Sequence, residues 1–301
     1  MTQVVFLLVP RVHLLDLAGP AQVFSTAADQ GYGYRLRYVA EHDEVPTAQG
    51  IPIHAHTRWP EVSPTDLLIV PGWRSLSLRR TGQLSATSLA RLVDHHRAGG
   101  TVASVCAGAD ALGRAGLLDG RRCTTHHDLQ DELARRYPRA TVVRDVLYVV
   151  DDRVVTSAGI ASGIDLALHI IATRHGAAAA ARIARAMVVF CRRNGDDQQA
   201  SAMLRHRDHL SDVVHRAQDL IDANFTDRLP LAKVAADCGV SERTLTRLFV
   251  RATGLTPLRY QQALRLERAE HLIGQGATVE AAARAAGFAD ARMLRRLRAR
   301  A

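Results

Sequence analysis

Lysine is almost missing from this 301-residue chain: Lys233 is the single one, so nearly all of the positive charge is arginine. Cysteine is scarce too. Cys106, Cys123, Cys191 and Cys238 are spaced like no zinc site and are too few to staple a chain of this length, which excludes a disulfide framework and fits a reducing compartment. Each reads by default as a small buried hydrophobe. Uninterrupted apolar runs of about 20 residues are absent, so no membrane-spanning helix is expected. The apolar opening Val4–Val9 lacks a basic leader and a small-residue cleavage site, so it reads as a buried strand and a cytoplasmic protein is expected. His13, His54, His56, His95, His96 and His127 form no spaced ligand set, so neither a metal nor a cofactor is assigned.

What is present is charge of one sign, unevenly placed. The formal net charge is +9. From Arg205 to Ala301 there are 17 basic and 11 acidic residues, and Arg292, Arg295, Arg296, Arg298 and Arg300 fall within nine positions. A basic terminal third points to a polyanionic partner, although a solvated arginine-rich helix face has the same composition.

The first 190 residues alternate strand and helix signals. Val4–Val9, Leu36–Ala40, Leu67–Val70, Thr101–Val105 and Val154–Thr156 read as buried parallel strands, with helices over Ser85–Ala98, Asp128–Tyr137 and Gly163–His175. Thr141–Val143 and Val146–Val150 read as a short hairpin. This order predicts an α/β fold, a flavodoxin-like parallel sheet sandwiched by helices. Ala177–Cys191 reads as a further helix, and residues 191–207, beginning with the polar Arg192–Gln199, read as a linker to an all-α domain over 208–301.

In that second domain Leu231–Asp237 is a short amphipathic helix, Cys238-Gly239-Val240 a tight turn, and Ser241 the cap of a helix whose apolar stripe is Leu245, Leu248 and Phe249. The opposite face carries Arg243, Thr246 and Arg247, so the unit is a helix-turn-helix with a groove-entering second helix. A second copy lies 49 residues on: Val279–Ala286, the Gly287-Phe288 turn, the cap Asp290, the core residue Leu294, and Arg292, Arg295 and Arg296 in the places of Arg243, Thr246 and Arg247. The helix Pro257–Ile273 joins the two.

These residues, with Gly254-x-Thr256-Pro257-x-x-Tyr260, resemble the AraC/XylS family of regulators over about 90 residues. The resemblance implies two recognition helices in successive major-groove segments of double-stranded DNA, with Arg243, Thr246, Arg247, Arg292, Arg295 and Arg296 as contacts. The family pattern continues into a Phe-Gly-x-x-Pro-x-x-Tyr segment and a closing helix, whereas this sequence ends at Ala301 and places Arg298 where an aromatic is expected. The second module is therefore expected to be truncated and weak.

In the first domain Ser104-Val105-Cys106-Ala107-Gly108 joins a strand to a helix, a sharp turn that exposes its central residue at the sheet's carboxyl rim. The helix N-terminus is expected to stabilise a Cys106 thiolate, and the Ala107 N–H with one from Gly72-Trp73 to form an anion hole. With Leu15-Asp16-x-x-Gly19-Pro20, Thr124-Thr125-His126 and Ser157-Ala158-Gly159-x-x-x-Gly163-x-Asp165, the domain resembles the PfpI/ThiJ class, also called class I glutamine amidotransferase-like. That resemblance places Asp16 beside the elbow thiol and His126 where related enzymes carry a base.

The leading expectation is a homodimeric transcription factor, not an enzyme, binding a small-molecule effector near Asp16, Gly72, Trp73, Cys106, Ala107 and His126. Trp73 replaces a glycine common in the enzymes. The alternatives are a cysteine-dependent enzyme (isonitrile hydratase or amidase-like, with Cys106, Asp16 and His126 as catalytic candidates and a vestigial DNA-binding tail) and a redox sensor acting through Cys106.

Overall fold

The computed structural model describes residues 1–74, 78, 84–189, 193–196, 199, 206–274 and 276–299. They fall into two compact units, Met1–Gln199 and Ala200–Ala301. Cys191, Arg192, Asp197, Gln198 and Arg300 lie outside the described residues.

The first unit is built on β1 (Thr2–Leu8), β2 (Tyr34–Ala40), β5 (Leu67–Val70), β6 (Thr101–Val105), β9 (Tyr148–Asp151) and β10 (Val154–Ser157), while β3 (Glu44–Val45) and β4 (Ile53–His54) pair apart from them. The six form one sheet in the order β2-β1-β5-β6-β10-β9, parallel except for the antiparallel β9–β10 edge. Val4 to Leu8 of β1 and Leu67 to Val70 of β5 are almost wholly buried at successive positions. Successive side chains point to opposite faces, so both faces of the sheet are covered. Helices α1 (Leu14–Asp29), α5 (Ser162–His175) and α6 (Ala177–Ala186) pack on one another, α2 (Ala86–Arg97) packs on α3 (Ala109–Arg114), and α4 (Gln130–Arg136) lies against Thr141–Val142.

The Gly19-Pro20 and Gly163 pattern has a packing cause. A side chain on Gly19 would come within 3.1 Å of Ile164, and one on Gly163 within 3.3 Å of Pro20, so these residues let α1 and α5 approach closely. Pro20, inside α1, also lacks the N–H that would bond the carbonyl of Asp16.

Two expectations are corrected. Thr141–Val143 and Val146–Val150 do not pair with each other. β8 (Thr141–Val142) pairs in parallel with β7 (Arg122–Cys123), while β9 pairs with β10 across a two-residue turn in which Asp152 has φ +52°. The chain bends at Asp145 (φ +50°), and Leu147 N–H donates to Gly195 O at 2.8 Å. Helix α6 stops at Ala186, short of Cys191, with Val188 at φ +57° breaking its course.

The polar stretch after α6 is tied down where it is described. The Arg193 guanidinium donates to Asp165 Oδ2 at 2.6 and 3.0 Å, and Gln199 Nε2 donates to the carbonyls of Thr125 and Val146 at 2.9 and 3.0 Å. These contacts carry the first unit to Gln199.

The second unit comprises α7 (Asp212–Asn224), α8 (Leu231–Asp237), α9 (Glu242–Thr253), α10 (Pro257–Gly274), α11 (Val279–Ala285) and α12 (Ala291–Arg298). Gly239 takes φ +72° between α8 and α9, and the Ser241 hydroxyl accepts from Thr244 N–H at 3.2 Å. Between α11 and α12, Gly287 takes φ +83° and Asp290 accepts from Arg292 and Met293 N–H at 2.8 and 3.1 Å. Two cores result. The first includes Val214, Ile221, Val234, Leu245, Phe249 and Tyr260; the second is alanine-rich, with Ala269, Ala282, Ala283, Ala286, Phe288 and Leu294.

Candidate functional site

The elbow of the first unit is formed by strain and close approach. Cys106 has φ +53°, unusual for a residue with a side chain, directly after β6. The Thr125 hydroxyl donates to Cys106 O at 2.7 Å and helps hold this turn. Two glycines wall it. A Cβ on Gly72 would lie 2.4 Å from Asp16 Oδ2, 2.7 Å from Cys106 Cβ and 3.0 Å from Ala107 N. One on Gly159 (φ +105°) would lie 2.3 Å from Cys106 Cβ. Asp16, Gly72, Cys106 and Ala107 are thus brought together as expected from the sequence.

Asp16 is fully buried. Its Oδ1 accepts the N–H of Ile160 at 2.5 Å, while Oδ2 has no hydrogen bond of normal geometry although it faces the thiol. Burial pushes the Asp16 pKa up to about 6, against the opposing pull of the Ile160 N–H and the thiol. Ile160, held at φ +51°, went unnoticed in the sequence; it follows Gly159 of the motif by one residue.

The expected thiolate is not what the geometry favours. Burial pushes the Cys106 pKa far up, the Asp16 charge adds to this, and the Ala107 N–H opposes it more weakly. The short turn cannot outweigh removal of the sulfur from water. The Ala107 N–H lies beside the sulfur and is the one contribution that pulls the thiol pKa down without involving a neighbouring charge. Gly72 O accepts the N–H of His13 at 2.9 Å, and the buried indole Nε1 of Trp73 has no partner among the described residues.

His126 is half-buried and caps a short turn: its Nδ1 accepts the N–H of Asp128 at 3.4 Å. Burial lowers its pKa, and the neighbouring His127 lowers it further. A thiolate–imidazolium pair needs a lowered thiol and a raised imidazole; both groups are shifted the opposite way. Each of His126, His127 and Asp128 places one ligand atom within 4.8 Å of the others'. Sequence reasoning missed this set by leaving out Asp128. The Asp128 carboxylate lies 3.5 Å from His126 Nδ1 and 3.0 Å from His127 Nδ1.

In the second unit Arg243, Thr246 and Arg247 line an open concave strip of α9 together with Glu242, Val250 and Arg251. Arg243 and Arg247 are exposed and have no side-chain partner among the described residues. Leu245 and Phe249, on the opposite face, are fully buried. On α12, Arg292, Arg295 and Arg296 are likewise exposed, but Arg295 is ion-paired to Glu280 of α11. Arg298, a turn beyond Leu294, pairs with Glu270 at 2.7 Å.

Residues 2–173 match the model of the DJ-1/PfpI family, and residues 234–301 match a helix-turn-helix domain model. The HTH-type transcriptional regulator GbdR of Pseudomonas aeruginosa is 32% identical over 179 residues, 60% of this chain and 48% of that one. The isonitrile hydratase of Pseudomonas putida is 32% identical over 171 residues, 55% of this chain and 69% of that one. The match thus spans about half the length of the regulator. Among solved structures, an AraC family transcriptional regulator from Pseudomonas putida has the same fold over 62% of this chain and 100% of its own, with a TM-score of 0.53 at 23% identity. Drosophila melanogaster DJ-1beta does so over 63% and 99%, with a TM-score of 0.52 at 18% identity.

Proposed function

The chain belongs to the DJ-1/PfpI family and carries a helix-turn-helix domain behind it, and from that pairing we propose that it is a sequence-specific, DNA-binding transcriptional regulator of the AraC type. The observation that carries this reading is α9: a capped helix with a filled apolar face behind and unpaired Arg243 and Arg247 beside Thr246 in front, repeated in outline by α12. Guanidinium forks pair bidentately with guanine edges, and the remaining arginines of the domain neutralise phosphates. A DNA partner goes with a cytoplasmic site of action. No helix among the described residues is long and apolar enough to cross a membrane.

The first unit serves dimerisation and effector sensing. Two copies joined there would present paired helix-turn-helix units to paired half-sites. The effector site is the elbow: Asp16, Gly72, Trp73, Cys106 and Ala107, with His126 at its approach. The buried Trp73 Nε1, without a partner among the described residues, supports it, because such an atom favours a ligand that supplies one. Regulation then requires the effector to bind the DNA-competent arrangement with a different affinity from the incompetent one. The test is selection by the full chain from a random duplex pool. Enrichment of one motif supports the reading; recovery of unrelated sequences contradicts it.

A second reading, a cysteine-dependent enzyme, is favoured by the likeness to isonitrile hydratase and by the strained elbow. The upward shift of the Cys106 thiol and the downward shift of the His126 imidazole speak against a thiolate–imidazolium nucleophile. Hydration of an isonitrile by the full chain, abolished by Cys106→Ala, would establish that reading.

A further inference from the structure

A second polar cluster lies at the other end of the sheet from Cys106. Cys106 follows the last residue of β6, whereas this cluster surrounds the turn before its first residue, about 16 Å away along a five-residue strand. Three elements contribute: His96 from the last turn of α2, Arg121 from the turn before β7, and Arg153 from the β9–β10 turn. Backbone and side-chain hydrogen bonds fix the segments that carry them. Gly99 N–H donates to His96 O at 3.0 Å, Val102 N–H to Arg153 O at 2.9 Å, and Arg122 N–H to Asp151 Oδ2 at 2.9 Å. A Cβ on Gly99 would lie 3.5 Å from Arg153 Nη1, so that guanidinium lies over the end of α2.

Each of the three residues holds one nitrogen out of contact with solvent. His96 Nε2, Arg121 Nε and Arg153 Nε have no hydrogen-bond partner among the described residues. His96 is only 9% exposed. An unmade hydrogen bond at a buried polar group is costly, which makes the His96 Nε2 orphan need an explanation; the Arg153 side chain is 40% exposed and Arg121 partly so, which leaves the outer guanidinium nitrogens open to a ligand. Burial lowers the His96 pKa, and the charges of Arg121 and Arg153 lower it further. Two carboxylates lie nearby: the exposed Asp152 reaches Arg153 Nη2 at 3.3 Å and Asp151 Oδ2 accepts the Arg122 N–H, but neither bonds any of the three orphaned nitrogens. The carbonyl end of α2 adds only a partial negative charge.

We propose that His96, Arg121 and Arg153 form a binding site for a small tetrahedral oxyanion, either inorganic phosphate or the phosphate group of a small ester. Such an anion offers acceptor oxygens in several directions, which suits donors arriving from three elements, and charge-assisted bonds to guanidinium are the strong ones. The site is separate from the elbow and stands whether or not the regulator reading holds.

The test is a calorimetric titration of the full chain with inorganic phosphate and with glycerol phosphate, at fixed pH and at ionic strength held constant with sodium chloride. The expected result is saturable binding of one anion per chain, weakened at least tenfold in Arg121→Gln/Arg153→Gln. Tighter binding of the ester identifies an ester as the ligand; equal or tighter binding of phosphate identifies the free ion. No saturable heat, or unchanged affinity in the double variant, overturns the proposal. Should the double variant fail to fold, the His96 ring proton resonance, assigned by its loss in His96→Gln, must still move with phosphate in the unmodified protein; a stationary resonance overturns the proposal. So does a double variant that loses affinity for duplex DNA when phosphate itself does not bind, since the cluster would then serve the DNA backbone.

Discussion

Phe249 and Arg298 stand at the same step of their two recognition helices, eight residues past Ser241 and Asp290, yet Phe249 is wholly buried while Arg298 is ion-paired to Glu270 at the surface. The first helix-turn-helix closes its core with an aromatic ring tilted against Tyr260, at 5.5 Å between centroids. The second closes around alanines, Phe288 and Leu294. This asymmetry makes the first module the more stable and the more able to hold its arginines in register.

Phe249→Ala is expected to destabilise the second unit by about 3–5 kcal/mol, the usual cost of removing a buried aromatic. Arg298→Ala removes a half-exposed ion pair and is expected to cost no more than about 1 kcal/mol. Urea denaturation followed by far-ultraviolet circular dichroism checks both; similar costs would contradict the asymmetry.

The Asp16 pKa makes a pH prediction with a definite sign. A carboxyl whose pKa rises from 3.8 to about 6 on folding binds its proton more tightly in the folded state. The stability of the first unit therefore falls as pH rises from about 4 to about 6 and stays low above that, by at most about 3 kcal/mol. Asp16→Asn keeps an acceptor for Ile160 and removes the buried charge. It is expected to be more stable than the unmodified protein at pH 7.5, with the gain vanishing below about pH 4. Denaturation midpoints across that range decide it, and a variant equally destabilised at every pH contradicts it.

A buried thiol whose pKa burial pushes up reacts slowly. Iodoacetamide labelling of Cys106 at pH 7.5, read site by site by mass spectrometry, is expected to be at least about 100-fold slower in the folded protein than in urea. Labelling as fast as an open thiol would revive both the enzymatic and the redox-sensing alternatives.

The parts legible in the sequence were those set by local physics. Ser241, Gly239, Asp290 and Gly287 announce their caps and turns because a cap or a positive φ restricts which residues serve there. The continuous apolar run Val4–Val9 announces a strand covered on both faces. Asp16 beside Cys106 was legible only through a family resemblance. What escaped depends on chain segments meeting at long range. Ile160 reaches Asp16 across 144 positions, and the Cys106 pKa follows from burial that no local pattern records. The hairpin read between Thr141 and Val150 failed because β9 has a better partner in β10, across a turn in which Asp152, not a glycine, takes the positive φ. The pairing of Arg295 with Glu280 crosses between two helices and is invisible to a charge count.

The central claim, that this chain reads DNA through α9 with α12 in support, is tested most directly by fluorescence-anisotropy titration of a selected duplex and a scrambled one. The unmodified protein is compared with Arg243→Gln/Arg247→Gln and with Arg292→Gln/Arg296→Gln at several salt concentrations. Each bidentate arginine–guanine contact is worth about 1–3 kcal/mol, so the first variant is expected to lose at least about 30-fold in affinity for the selected duplex and little for the scrambled one. The second is expected to weaken both duplexes alike and to flatten the salt dependence, as phosphate contacts do. Retention of full sequence preference by Arg243→Gln/Arg247→Gln, or its loss only in Arg292→Gln/Arg296→Gln, would contradict the account.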